Sequence, residues 1–314
     1  MMSDHCSILI NNGRLAYDKI THLPEGIILD DCNKDYNVNI VISSNTRIST
    51  PIHLTIMFDD DCDDNIEMLN MLNLETGSSA KLIIKYCITD NARVNIRERT
   101  VIKLEKSSVL DMVREQKMNA ATKLFSETCI HQLKFSRMKT HYVTLGGGNI
   151  TNLMEVSLSD EKTQHDAFGL SLTRKNEHVE NEIKIIHGYP DCQSNQLFKH
   201  ILFDVSTGSF TGRIVVNSHA QKTKAYQRSS NILMNPKAKM YIRPQLEIYA
   251  DDVKCSHGAT VGQLDAEALF YLRSRGIDEI EAKKLLLRAF ACEAIEKISC
   301  MAFRENIMRL AELD

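Results

Sequence analysis

The feature that most limits what this chain can fold into is the grouping of its apolar residues. Between positions 38 and 217 they fall in short runs rich in Val, Ile, Thr, Phe and Tyr: VNIVIS (38–43), HLTIMF (53–58), KLIIKYCI (81–88), ARVNIRERTVIKL (92–104), NEIKII (181–186), FKHILFDV (198–205) and FTGRIVVN (210–217). Several alternate polar with apolar residues, the pattern of a strand with one buried face. Asn, Asp, Gly and Ser fill the connections, yet the two-residue Asn-Gly or Asp-Gly turns of a hairpin series do not separate these runs. Strand centres recur at roughly 10–16 residues, as they do when each strand adds one rung beside the last. A solenoid satisfies that spacing, and a β-sandwich satisfies the strand count equally well, so periodicity leaves both open.

The pattern changes near residue 264. Asp265 is an N-cap before AEALFYLRSR, and Gly276 stops that helix as a C′ residue. Asp278 caps a second helix, with Glu281 completing an acidic variant of the capping box. Ala282, Leu285, Leu286, Ala289, Phe290 and Ala294 follow at helical spacing and form an expected apolar stripe. The chain therefore divides into a β-rich part, 1–263, and a helical part, 264–314. The stripe either packs on the β body or docks a partner.

Net charge is −3 over 314 residues, which gives no general attraction to nucleic acid or to an anionic membrane. No apolar run approaches the roughly 18–20 residues needed to span a bilayer, and MMSDHCSILINNGR lacks the basic and apolar regions of a signal peptide. The reading is a cytoplasmic protein. Nine Cys are scattered without a CxxC pair, which argues against a disulfide framework or a structural zinc site and for thiols buried as small hydrophobes.

Most motif-like features fail on their own chemistry. The run Asp59, Asp60, Asp61, Asp63, Asp64 lacks the Gly at position six and the Glu at position twelve of a calcium loop, and reads as a solvated turn. Gly146-Gly147-Gly148 has no following helix or Lys-Ser/Thr pair to make a phosphate loop, and reads as a tight corner of the chain. Neither GxSxG nor HExxH occurs. One pair remains. Cys255 and His257 stand two apart in PQLEIYADDVKCSHGATVG (244–262), so on an extended strand they share a face. Thiolate and imidazole both ligate iron, but two ligands are a fraction of a site, and a partner chain would supply the rest.

Read as strings, QLEIYADDVKCSHGATVGQLDAEALFYLRSRGI (245–277) and GRIVVNSHAQKTKAYQRSSNILMNPKA (212–238) resemble the C-terminal part of the SufB/SufD family, on its SufD side. INNGRL (10–15) and LPEGI (23–27) resemble the start of that family's core domain. The resemblance implies a right-handed parallel β-helix with a C-terminal helical segment. It implies a non-catalytic scaffold of the SUF iron–sulfur cluster assembly machinery. Its partners would be a SufB-like paralogue, paired through the C-terminal rungs, and a SufC-like ABC ATPase, bound through the C-terminal helices. A homodimer would form when the chain is alone. The iron–sulfur cluster would be held transiently at the subunit interface, where His257 and Cys255 match the family's histidine and its neighbouring cysteine. A reduced flavin is associated with the complex. Family members usually carry a helical domain before the INNGRL-like segment, whereas this sequence begins about ten residues before it, so its start is either natively short or placed late. The competing expectation is a β-helix lyase or hydrolase acting on carbohydrate. The absence of Trp, 6% aromatic content, nine Cys and no signal peptide count against it.

Overall fold

The computed structural model describes residues 6–29 and 37–311, so Cys32 lies outside the described residues. The strands run in chain order as β1 (Cys6–Asn11), β2 (Arg14–Leu15), β3 (Ile27–Leu29), β4 (Val38–Ile42), β5 (Ile52–Phe58), β6 (Asn65–Leu74), β7 (Ser79–Ile88), β8 (Asn95–Leu104), β9 (Val109–Gln116), β10 (Lys123–Gln132), β11 (Arg137–Thr144), β12 (Asn149–Leu158), β13 (Gln164–Thr173), β14 (His178–His187), β15 (Gln193–Leu202), β16 (Thr207–Val216), β17 (Lys224–Leu233), β18 (Lys239–Ile248) and β19 (Lys254–Gly262). Three helices follow, α1 (Ala266–Ser274), α2 (Glu279–Ile295) and α3 (Met301–Leu310). From β5 onward odd strands build one sheet and even strands the other, each strand lying parallel to the strand two places along. This is a parallel β-helix of about eight turns, with the expected helical segment at its C-terminal end. Each turn takes roughly 30 residues, so that Ser79, Val109, Arg137, Gln164, Gln193, Lys224 and Lys254 stack in one row. Antiparallel pairing occurs at the opposite end, where β2 turns back on β1 and β3 pairs with β4.

Alternation along each strand sends every second side chain into the lumen between the sheets. The first turns fill it with Ile8, Ile40, Ile56, Phe58 and Leu74, all at most 1% exposed. The middle turns are polar. Arg114 is fully buried, with Nη1 donating to Glu98 Oε2 (2.6 Å), Tyr86 Oη (2.9 Å) and Ser126 Oγ (2.7 Å). Burial works against its charge and is the largest single influence, but the Glu98 carboxylate together with Tyr86 and Tyr142 outweighs it and holds the guanidinium's pKa above its usual range. Further along, one hydrogen-bonded column crosses from turn to turn. Thr144 donates to Gln116, Gln116 to Asn152, Asn152 to Asn181, Asn181 to His200 Nε2, His200 Nδ1 to Asn231, and Asn231 to the Thr260 carbonyl of β19, all at 2.7–3.2 Å. The two asparagines fix the His200 tautomer, since one must donate and the other accept. His165, between Gln132 and Thr140, and His187, beside Ser194, complete the interior.

Corners hold the turns apart. Where the second sheet returns to the first, Ser107, Phe135, Lys162, Asp191 and Lys222 each adopt a φ of 58–61°, and the amide at each corner bonds a carbonyl of the next. Gly146-Gly147-Gly148 forms the expected tight corner between β11 and β12. A Cβ on Gly147 would lie 2.1 Å from the Met118 carbonyl oxygen, so only glycine fits.

The helices cap as their sequence dictates. Asp265 accepts from the amides of Glu267 and Ala268, and Asp278 from those of Ile280 and Glu281. Gly276 (φ 86°) closes a Schellman motif, its amide bonding Arg273 O while Ile277 N bonds Leu272 O. The apolar stripe of α2 differs from the expected one. Leu287, Ala291, Ala294 and Ile295 are buried against Val113, Val143, Leu170 and Ile201 of the odd-strand sheet and Ala282 is buried as well, while Leu285 and Ala289 face outward. Leu285-Leu286-Leu287 offers two stripes a turn-fraction apart, and the sheet takes the one that runs through Leu287. The helical tail thus shares a core with the β-helix. The cysteines also depart from expectation: of the eight described, all free, Cys6 and Cys192 are buried and six are half-buried.

Two consequences are measurable. Arg114→Leu leaves Glu98 buried without its counter-charge, and should lower unfolding stability by roughly 3–5 kcal/mol in denaturant titration. Burial depresses His165 to about 3 and His187 and His200 to about 4, with His187 adding to the effect on His165. The unfolded chain takes up protons on these residues near pH 6.5 while the folded chain does not, so stability is fully present above pH 6.5 and is lost as pH falls toward 4. The thermal midpoint should drop steadily from pH 7 to pH 5, and less steeply in His165→Gln.

Candidate functional site

The two sheets end at β18 and β19, and the last turn is built differently from those before it. Inward residues of interior strands such as β12 and β16 are buried, whereas Met240, Ile242, Leu246 and Ile248 of β18 are at best half-covered. Pro244 sits in β18, a residue tolerated in strands at edges because it donates no ladder hydrogen bond. Outer backbone groups of both strands face no further strand among the described residues. β19 is held to the body by parallel pairing with β17 and by the Asn231 side chain, whose Nδ2 donates to Thr260 O at 2.8 Å.

Cys255 and His257 lie on this last rung. Cys255 stands opposite Ala225 and His257 opposite Gln227, and both of those point into the lumen and are buried. The two side chains therefore share the inward face, about 7 Å apart along the strand, at the end where no further turn covers them. Cys255 is half-buried against Ile214, Val216, Ala225 and Ala250, and burial pushes its thiol pKa up despite the Ala225 amide. His257 is exposed. Among the described residues no group of three or more His, Cys, Asp or Glu gathers as a metal would require.

The structure adds apolar surface that the sequence patterns did not single out. Tyr241, Tyr249 and Val261 are 46–64% exposed on and beside the last rung, and Phe270 and Tyr271 of α1 and Ile280 of α2 are 57–74% exposed. Helix α1 buries no residue at all. Its signal in the sequence was adjacency: Leu269-Phe270-Tyr271-Leu272 puts apolar groups on every face, and no single packing surface can cover them. The acidic run behaves as a turn. Asp59 accepts from Asn12, and Asp60 is held by Thr89 and Asn91, whose hydrogen bonds lower its pKa. The grooves along the body are lined by Lys and Arg with a few Asp, not by the acidic and aromatic side chains of a sugar cleft. Among the described residues no helix is long and apolar enough to cross a membrane.

Comparison with known proteins gives a consistent likeness. A family model described as "SUF system FeS cluster assembly, SufBD core domain" matches residues 64–290. The chain is 32% identical over 237 residues to the iron–sulfur cluster assembly protein SufD of Escherichia coli K12, covering 76% of this chain and 56% of that protein. It is 29% identical over 266 residues to an iron–sulfur cluster assembly SufBD family protein of Synechocystis, covering 82% and 59%. A SufBD family protein of Mycobacterium leprae is 32% identical over 178 residues, covering 54% and 45%. The chain spans about half the length of these curated relatives.

The exposure of the pair makes its substitutions separable from folding. His257→Ala should change unfolding stability by less than about 0.5 kcal/mol, read by thermal melting. Cys255, with its raised thiol pKa, should react with iodoacetamide more slowly at pH 7.5 than a fully exposed thiol and accelerate above pH 9, as followed by peptide mass mapping.

Proposed function

Because the chain belongs to the SufB/SufD family of the SUF iron–sulfur cluster assembly system, we propose that it is a non-catalytic scaffold subunit whose working surface is its last β-helix rung and the adjoining helix α1. The observation that carries this reading is the construction of the C-terminal end: two unpaired strand edges, a thiol and an imidazole on one inward face, and exposed aromatic side chains beside them. Unpaired edges extend by backbone pairing with a second chain. A SufB-like paralogue with a matching open end would continue both sheets and stack its own rung on β18 and β19.

The cluster is cargo in this scheme. Cys255, once deprotonated, and His257 through a neutral ring nitrogen donate to iron from one side, and the partner supplies the remaining ligands. The raised thiol pKa keeps Cys255 protonated until a cation lowers it, which favours transient over permanent ligation. Phe270 and Tyr271 on α1, a helix that buries no residue, give a SufC-like ATPase an exposed apolar anchor. Movement of α1 by that ATPase would reach β19 through only three residues, 263–265. The scaffold works in the cytoplasm, and two copies pair through the same edges when the paralogue is absent.

Anaerobic co-expression with a SufB-like and a SufC-like protein tests this. The three chains should co-purify. His257→Ala should lower cluster content, measured by Mössbauer and absorption spectroscopy, without dissociating the chains, whereas Phe270→Asp with Tyr271→Asp should remove the ATPase alone. Unchanged cluster content in the His257 variant would refute the ligand role.

A further inference from the structure

The outer face of the odd-strand sheet is covered unevenly. Helices α2 and α3 lie over the rows through Val113, Val143 and Leu170, and leave open the first residues of the strands, next to the returning corners. In that open strip the row Ser79, Val109, Arg137, Gln164, Gln193, Lys224, Lys254 contains no carboxylate. Lys162 and Lys222 project beside it from left-handed corner positions. A groove of about 520 Å³ follows the row from Arg137 to Lys254, and a second of about 500 Å³ continues it toward Ser79, the two sharing Arg137 and Gln164.

The charges here are arranged against stability. Elsewhere on the β-helix a cation on one turn or corner is offset by a nearby carboxylate, as in Lys184–Glu155 (2.9 Å), Arg213–Glu247 (3.5 Å) and Lys134–Glu161, so that even the cross-strand neighbours Lys184 and Arg213 are each compensated. Lys224 and Lys254 are also direct cross-strand neighbours, about 4.8 Å apart at the backbone, where like charges repel, but neither has a carboxylate partner among the described residues. Arg137, Lys162, Lys222, Lys224 and Lys254 are all exposed, and none forms an ion pair among the described residues, although Asp191 and Asp252 line the same groove. Lys162 lies over the Phe135 ring at 5.7 Å, and a chain with net charge −3 thus concentrates in one strip five cations that have no ion pair among the described residues.

We propose that this strip binds an extended acidic peptide segment of a protein partner. From Arg137 to Lys254 the groove crosses four rung spacings, about 19 Å, which an extended segment covers with roughly six residues. It is open along one side, and its cations are lysines on flexible stems, unlike the enclosing pocket that buries most of a small ligand. Lys254 is next to Cys255 in the chain but projects from the opposite face of β19, so the site stands whether or not the Cys255–His257 pair binds iron.

The test uses the full chain and fluorescein-labelled hexaglutamate, read by fluorescence anisotropy. Binding is expected at about 20 mM salt and should weaken at least tenfold by about 200 mM. The variant Lys222→Gln/Lys224→Gln/Lys254→Gln should lose at least tenfold in affinity while its melting temperature holds or rises, because the repulsion is relieved. Lys123→Gln/Lys239→Gln, exposed lysines at the starts of β10 and β18, should bind as the unsubstituted chain does. Equal binding by the triple variant, or no binding at low salt, overturns the proposal. Displacement of the peptide by inorganic phosphate at matched charge assigns the strip to small oxyanions and also overturns it. A fall in the triple variant's melting temperature gives the lysines structural partners and removes the premise.

Discussion

Every part of this molecule depends on the in-register stacking of parallel strands. Backbone pairing fixes each residue above its counterpart one turn earlier, so the lumen is organised in rows and not in freely packed side chains. Most polar residues in a row are satisfied by the turns on either side, Gln196 being an exception that is fully buried with neither amide atom hydrogen-bonded. Arg114 is tolerated because Glu98, Tyr86 and Ser126 reach it from three different strands. The amide and imidazole groups from Gln116 to Asn231 are tolerated because each finds a donor or acceptor in the next turn. Hydrogen bonds in such a low-dielectric column reinforce one another, and an unpartnered member would be expensive.

That organisation decides how much could be read from the sequence. Strands with apolar lumen residues, such as β5, β7 and β16, announce themselves by alternation. Strands β9, β11 and β13 do not, because Arg114, Gln116, Thr140, Thr144 and His165 occupy inward positions that ordinary patterning assigns to solvent. Strand spacing reports half a turn, so it cannot separate a solenoid from a sandwich; the full repeat of about 30 residues appears only once register is known. Helix ends were legible because capping is local, at Asp265, Gly276 and Asp278. The buried face of α2 was not, since three consecutive leucines fit two stripes and only the sheet beneath chooses.

The candidate site divides in the same way. That Cys255 and His257 share a face follows from alternation, and the switch to helix just beyond them marks a strand near the end of the series. Their position over the open lumen, with Ala225 and Gln227 beneath, requires the ladder. So does the row of lysines, whose members are 30 residues apart and carry no local signature. Long-range register thus creates the surfaces on which the chemistry depends, and local sequence supplies the side chains placed there.

The antiparallel strands at the other end give the body a valence. β2 and β3 are two and three residues long, run against their neighbours, and offer a following strand no parallel template. A rod with both ends templated would add copies without limit, as fibrils do. A rod templated at one end alone would be used up by a single encounter, and a pair so formed would have no free template left. On the proposed pairing, stoichiometry would therefore be set by the direction of two very short strands at the end away from the partner.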